Sequence, residues 1–199
     1  MIVYFQEVEA MKGIYLVNYT VKGIKSLDEE VSLSFYKKTI TSDPKDFQNY
    51  NIKGIYGING SGKSAIVTSV KIFKNLIINK DYLNNPLIQS YLRELINKNL
   101  LRMDFSGDFF AKSKSKSFLF HYEISISSEK SGKIVIDREA LSYKAASSRQ
   151  EDMKPLFEVN NGKIAFANSI EQDFCDYIID KTKNLLKTAT VSSFFIDYI

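Results

Sequence analysis

The stretch GINGSGKS, Gly57 to Ser64, satisfies the G-x-x-x-x-G-K-S/T pattern of a phosphate-binding loop. At ordinary glycine usage a chance match in a chain of this length is on the order of one per cent, so the motif carries weight. Its chemistry needs these residue types. Glycines let the backbone take positive φ and turn several N–H groups towards phosphate oxygens, and a helix starting at the loop aims the positive end of its dipole at the same anions. Lys63 would neutralise the outer phosphates of a nucleoside triphosphate, and Ser64 would set its hydroxyl on Mg²⁺.

Hydrolysis asks for more: a carboxylate at the end of an apolar strand to hold the metal, and a group that orients water. "IVIDRE" offers Asp137 with Glu139 nearby, and "FFIDYI" offers Asp197. Asp137 lies in a stretch that reads as antiparallel strand, which favours a surface carboxylate. Asp197 stands two residues before the last residue, leaving no following loop to carry a catalytic group. His121 is the one histidine, hence the one neutral-pH acid–base candidate of the usual kind. It has no partner in the sequence and reads as a half-exposed strand residue. The single cysteine, Cys175, excludes an internal disulfide framework and a Cys/His metal cluster, and reads as a buried structural thiol. No serine stands in a G-x-S-x-G turn, so a nucleophilic triad has no support.

The elements that must position these residues follow from periodicity. Residues 14–20 and 31–35 read as paired strands, Val31, Leu33 and Phe35 alternating with serines. After a polar connection, the apolar "IKGIYG" predicts a strand leading into the loop. A helix then runs from Lys63 to about Asn79, with Ile66, Val70, Phe73 and Ile77 on one face. A second helix is predicted from Pro86 to about Leu100, clustering Leu87, Tyr91, Leu92 and Leu95. From residue 117 the period becomes two. "FLFHYEISIS" sets Phe118, Phe120, Tyr122, Ile124 and Ile126 against His121, Glu123 and Ser125. "KIVIDREALSY" follows a turn at Ser131 and Gly132, and "LFEVNNGKIAF" carries the Asn-Gly pair of a tight hairpin. A last helix spans about Ile170 to Leu186, burying Ile170, Phe174, Tyr177, Ile178 and Leu185.

With 199 residues, 44% hydrophobic and 25% charged, the chain can bury a real core. No apolar run approaches the roughly 18 residues of a membrane span and no leader pattern opens the chain, so the expectation is a cytoplasmic protein without membrane contact. The net charge of +4 is too mild to argue for nucleic acid. Lys112, Lys114 and Lys116 alternate with serines and read as a solvated loop, or as an arm that touches phosphates.

The hairpin, loop, helix and antiparallel stretch together resemble the N-terminal half of an ABC-type ATPase head. The closest likeness is to bacterial AAA-family ATPases akin to RecF, SMC and OLD proteins, whose phosphate loop often reads Y-G-x-N-x-S-G-K-S. Tyr56, Gly57, Asn59, Ser61, Gly62, Lys63 and Ser64 match that pattern. "FLFHYEISI", "IDREALSYKA" and "PLFEVNNG" are similar to the group's middle segment. The resemblance implies an α/β fold with α+β character: a P-loop NTPase, an ABC-ATPase-like N-terminal lobe with an antiparallel β region and flanking helices. It would be one lobe over 1–199, with a hairpin, P-loop strand and helix in 1–80, a helical insertion and loop in 81–116, the β region in 117–168, and a helix with a truncated end in 169–199.

The resemblance also implies ATP and Mg²⁺ as cofactors. Gly57, Asn59, Gly60, Ser61, Gly62, Lys63, Ser64 and Ala65 would bind the nucleotide, with Lys63 as the catalytic residue and Ser64 as the metal ligand. In such heads a signature loop from a second head, a Walker B aspartate and glutamate, and a switch histidine complete the site, and none has a counterpart here. Gln89 is the candidate for the family's metal- and water-contacting glutamine. Where the family often has Asn-Phe-Arg, this chain has Asn18, Tyr19 and Thr20, so Lys22 or Lys25 would substitute for the arginine.

The leading expectation is therefore an ATP-binding portion of such an ATPase, truncated or split. It would hydrolyse ATP only with its missing half or a second head, in DNA-associated work or phage defence. One alternative is a self-sufficient small P-loop NTPase or kinase using Asp137 or Asp197. Another is an interaction module that keeps the loop without using it.

Overall fold

The computed structural model describes residues 13–35, 52–112, 116–146, 152–168, 170 and 172–195. Alternating apolar and polar residues build seven strands: β1 (Gly13–Lys22), β2 (Val31–Ser34), β3 (Arg102–Lys112), β4 (Ser117–Ser128), β5 (Ile134–Ala145), β6 (Lys154–Asn160) and β7 (Lys163–Phe166). They form a single sheet in the order β2-β1-β3-β4-β5-β6-β7, and every neighbouring pair is antiparallel. The hairpin expected at Asn161 and Gly162 joins β6 to β7, both residues having positive φ.

Directly paired residues share a face of the sheet. The register therefore aligns Val31, Val21, Phe105, Ile124, Glu139, Val159 and Ile164 in one row across all seven strands. Six of these are apolar and belong to or pack against the core. A β-bulge makes Glu139 the seventh: Ile126 pairs with Ile136 but Ser125 with Arg138, so Asp137 is the extra residue. The bulge turns Arg138 to the polar face and Glu139 inward.

Helix α1 (Lys63–Ile78) lies on the apolar face. Its Phe73 ring meets Tyr19, Phe105, Phe109 and Tyr122 with centroids 5.6–6.5 Å apart, and Tyr19 donates to Ser69 Oγ at 2.8 Å. The buried face is Ala65, Ile66, Ser69, Ile72, Phe73 and Leu76. The expected Val70 is turned out and Ile77 is only partly covered. A short 3₁₀ turn (Tyr82–Asn84) leads to α2 (Pro86–Leu95), and α3 (Gln172–Thr182) and α4 (Val191–Phe195) complete the described helices. Helix α2 stops before the expected Leu100 because the chain turns there on Asn97. Its side chain accepts the N–H groups of Asn99 and Leu100, and its own N–H donates to Gly23 O.

Three expectations are corrected. The chain is not an α/β P-loop NTPase fold: the described strands form one antiparallel sheet with few helices, and no parallel pair. Successive strands from β3 to β7 are separated by only 2–8 residues, fewer than the dozen or so that a parallel crossover needs. The "IKGIYG" segment, read as the strand before the loop, has no strand structure. A strand needs a hydrogen-bonded neighbour to persist in water, and no described strand pairs with it. In addition, β3 occupies residues assigned to a helical insertion and loop, and it lies inside the sheet between β1 and β4.

Candidate functional site

The glycine-rich loop of residues 57–64 sits at the start of α1, and its Gly62 touches Leu27 in the turn after β1. Gly60 and Gly62 take φ of +83° and +87°, the left-handed region open to glycine without strain. Gly62 is the N-cap of α1 and no side chain caps the helix start. A Cβ on Gly62 would stand 2.7 Å from Leu27 Cδ2, so the glycine also lets the turn after β1 close against the loop. Ser61 N–H donates to Ile58 O at 3.3 Å, and the first helical hydrogen bond runs from Ile66 N–H to Gly62 O at 3.1 Å. No acidic residue stands in the first turn to oppose an anion.

Lys63 folds back over the loop. Its ammonium donates to the carbonyls of Gly57 at 2.8 Å and Ile58 at 2.6 Å. Asn59, Ser61 and Ser64 are exposed, and Ala65 is buried beneath the first turn. The predicted loop residues are thus brought together at one helix start, as their adjacency in sequence requires. Lys25, a suggested arginine substitute, is exposed in the Gly23–Leu27 turn that touches Gly62. Lys22 is half-buried at the end of β1.

The other candidates lie elsewhere. Asp137 occupies the β5 bulge, three strands across the sheet from β1, or roughly 14 Å at ordinary strand spacing. That is too far to share a metal with Ser64. Asp197 and Lys114 fall outside the described residues. Lys112 is exposed at the end of β3. Among the described residues no group of three or more His, Cys, Asp or Glu could hold a metal ion. Gln89 is not positioned as a catalytic glutamine. Its amide donates to Leu83 O at 2.7 Å and Ile134 O at 2.9 Å while its oxygen accepts Ile134 N–H at 2.8 Å, fastening α2 to β5. Cys175 is buried in α3, and burial pushes its thiol up.

His121 has partners the sequence did not reveal. Its Nδ1 lies 2.6 Å from Asp108 and its Nε2 3.4 Å from Glu123. The chain continues from Glu123 to Arg138 at 2.5 Å and from Arg138 to Glu158 at 2.8 Å, crossing the polar face of four strands. Asp108 and then Glu123 push the His121 pKa up to about 9, and His121 foremost holds Glu123 down at about 2. At neutral pH the imidazole is a fixed cation, unsuited to act as a base.

In the sequence Glu139 is only a neighbour of Asp137. Folded, its Oε1 accepts Tyr122 O–H at 2.6 Å and Ser192 N–H at 3.3 Å, and its Oε2 accepts Val191 N–H at 2.7 Å. Burial pushes it up to about 7 against the pull of these donors. No helix among the described residues is long and apolar enough to cross a membrane. No family model matches the chain, and neither does any curated protein or solved structure.

Proposed function

We propose that this chain binds ATP with Mg²⁺ through residues 57–64 and the first turn of α1, as the nucleotide-holding part of an ATPase completed by a second polypeptide. The observation that carries the reading is the loop itself: two positive-φ glycines enter an uncapped helix start, with the Lys63 ammonium resting on the carbonyls of Gly57 and Ile58. Such a start presents N–H groups and a positive dipole end to phosphate oxygens. Lys63 need only exchange two carbonyls for phosphate to neutralise it. The exposed Ser64 would hold Mg²⁺ through its hydroxyl, and the ion would supply positive charge to offset the phosphates.

A second polypeptide is supported by what the loop lacks and what surrounds it. The described residues bring no carboxylate cluster to Ser64. Ile52, Tyr56 and Ile58, just before and within the loop, are 87%, 94% and 83% exposed, and Val67, Val70 and Ile78 face outward from α1. Exposed apolar side chains gathered around one element mark an interaction surface.

Calorimetric titration of ATP with Mg²⁺ tests the binding step. Wild type should saturate and Lys63→Ala should bind at least about tenfold more weakly, the loss of one charge-assisted contact. Absence of binding by wild type would sink the reading. Turnover of about 1 s⁻¹ by the isolated chain, within the ordinary enzyme range, would sink the requirement for a second polypeptide.

A further inference from the structure

A cleft of about 630 Å³ opens between the second half of α1 and the segment formed by the 3₁₀ turn and α2. Its size is that of a ligand site. Its wall on α1 runs from Thr68 to Asn75, five to twelve residues beyond Lys63, or about 7–18 Å at the helical rise, and none of residues 57–64 lines it.

Four features define what would fit. Lys71 and Asp81 both line the cleft, make no ion pair among the described residues, and cancel in charge. That balance gives phosphates, nucleotides and metal cations no net attraction, and suits a ligand without net charge. Tyr82 is only 7% exposed, yet its hydroxyl has no hydrogen-bond partner among the described residues. A buried phenol ordinarily finds one. Burial, with Tyr91 close by, pushes its pKa up to about 12, so it stays a donor at physiological pH.

The asparagines are half used. Asn79 Oδ1 accepts Asp81 N–H at 3.0 Å and Asn85 Oδ1 accepts Leu87 N–H at 2.9 Å, which leaves both NH₂ groups to donate. Asn75 Nδ2 donates to Lys71 O at 2.7 Å, which leaves its oxygen to accept. Lys71, Asn75 and Asn79 follow one another at four-residue steps, about 6 Å each on a helix. An extended chain repeats its outward N–H and C=O groups every two residues, about 6.7 Å. An acceptor at Asn75 and a donor at Asn79 over the buried Ile72 therefore match successive main-chain groups of a strand.

We propose that this cleft binds an extended, uncharged stretch of a partner protein, its main chain held by the side-chain amides of Asn75 and Asn79 and by the Tyr82 hydroxyl. The spacing of these amide groups favours a polypeptide; a sugar, for which the exposed Tyr91 ring in the same lining offers a stacking face, is the competing occupant and an arm of the test.

The test is an NMR titration reading the side-chain amide signals of Asn75 and Asn79. The probe is the acetylated, amidated pentapeptide Thr-Val-Thr-Val-Thr, with maltopentaose and ATP with Mg²⁺ as separate arms. The peptide should shift these signals with half-saturation near about 1 mM, and Tyr82→Phe, which keeps the ring, should weaken it about five- to tenfold with the backbone spectrum unchanged. Three results would each overturn the proposal: no shift up to about 10 mM peptide, an unchanged response in Tyr82→Phe, or shifts caused by maltopentaose or by ATP in place of the peptide.

Discussion

The fully buried Glu139 carboxylate accepts the backbone N–H of Val191 at 2.7 Å, tying the middle of the sheet to the start of α4. The tie extends to α1. Ser192 Oγ lies 2.6 Å from the Tyr122 hydroxyl that Glu139 also holds, and Thr190 donates to Leu76 O at 2.6 Å. One carboxylate in an otherwise apolar row thus anchors the end of α1 remote from the phosphate loop.

This anchor makes stability depend on pH. The folded-state pKa of Glu139 is raised from 4.5 to about 7. Between those values the native state holds more protons than the unfolded chain, so stability falls as pH rises through the window and levels off above it. The size is about 3 kcal/mol if the whole shift is realised. Glu139→Gln should abolish this dependence in urea unfolding between about pH 4.5 and 7. It should also lose about 1–3 kcal/mol at the acid end, because its NH₂ faces a donor where an oxygen had accepted one. An unchanged pH profile in the variant would assign the dependence to another group.

His121 titrates with the opposite reference. Its folded pKa of about 9 lies above the ordinary 6.5, so its contribution is complete below about pH 6.5 and lost as pH rises through about 9. The ring and its partners are about a third exposed, which limits the contribution to no more than about 1 kcal/mol. The imidazole carbon protons should titrate by NMR with a midpoint well above neutrality. A midpoint below pH 7 would show that Asp108 and Glu123 do not hold the charged form.

Gly62→Ala should be worse than Gly60→Ala. Both positions have positive φ, at a cost of about 1–2 kcal/mol for an L residue. A Cβ at Gly62 also meets Leu27, while one at Gly60 meets open space. Thermal unfolding should rank wild type above Gly60→Ala above Gly62→Ala. In ATP titration Gly62→Ala should bind at least about tenfold more weakly, since the helix start must shift. Equal stability of the two variants would mean that the Leu27 turn yields freely.

Gln89→Ala separates a fastening role from a catalytic one. It leaves Ile134 N–H and two carbonyls without their amide partner, and should cost about 1–3 kcal/mol in denaturant unfolding. ATP affinity should stay within about twofold of wild type. A large loss of affinity with unchanged stability would return Gln89 to the nucleotide site.

Local patterns were legible where a single residue type dictates backbone geometry. The loop glycines, the Asn161–Gly162 turn and the alternation in β4 all behave as their types require. Strand β3 was missed: "MDFSGDFFAK" alternates as β4 does, but its glycine and two aspartates obscured the period. The expected strand at 52–57 was apolar enough, yet apolarity alone supplies no hydrogen-bonding neighbour. The face of α1 differs from the expected one by part of a turn, since Val70 and Ile72 are both apolar and only packing onto the sheet, where Phe73 meets Phe105 and Tyr122, selects between them.

The sequence by itself determined the glycine-rich loop and the phosphate chemistry proposed for it, because that chemistry resides in consecutive backbone groups and in the side chains of Lys63 and Ser64. Tertiary structure alone decided which distant groups meet. The antiparallel register put Asp108 and Glu123 against His121, the Asp137 bulge turned Glu139 into the core, and Gln89 reached across to Ile134. Those outcomes depend on strand pairing, where a shift of one residue reverses every side chain, and a linear sequence does not record the pairing.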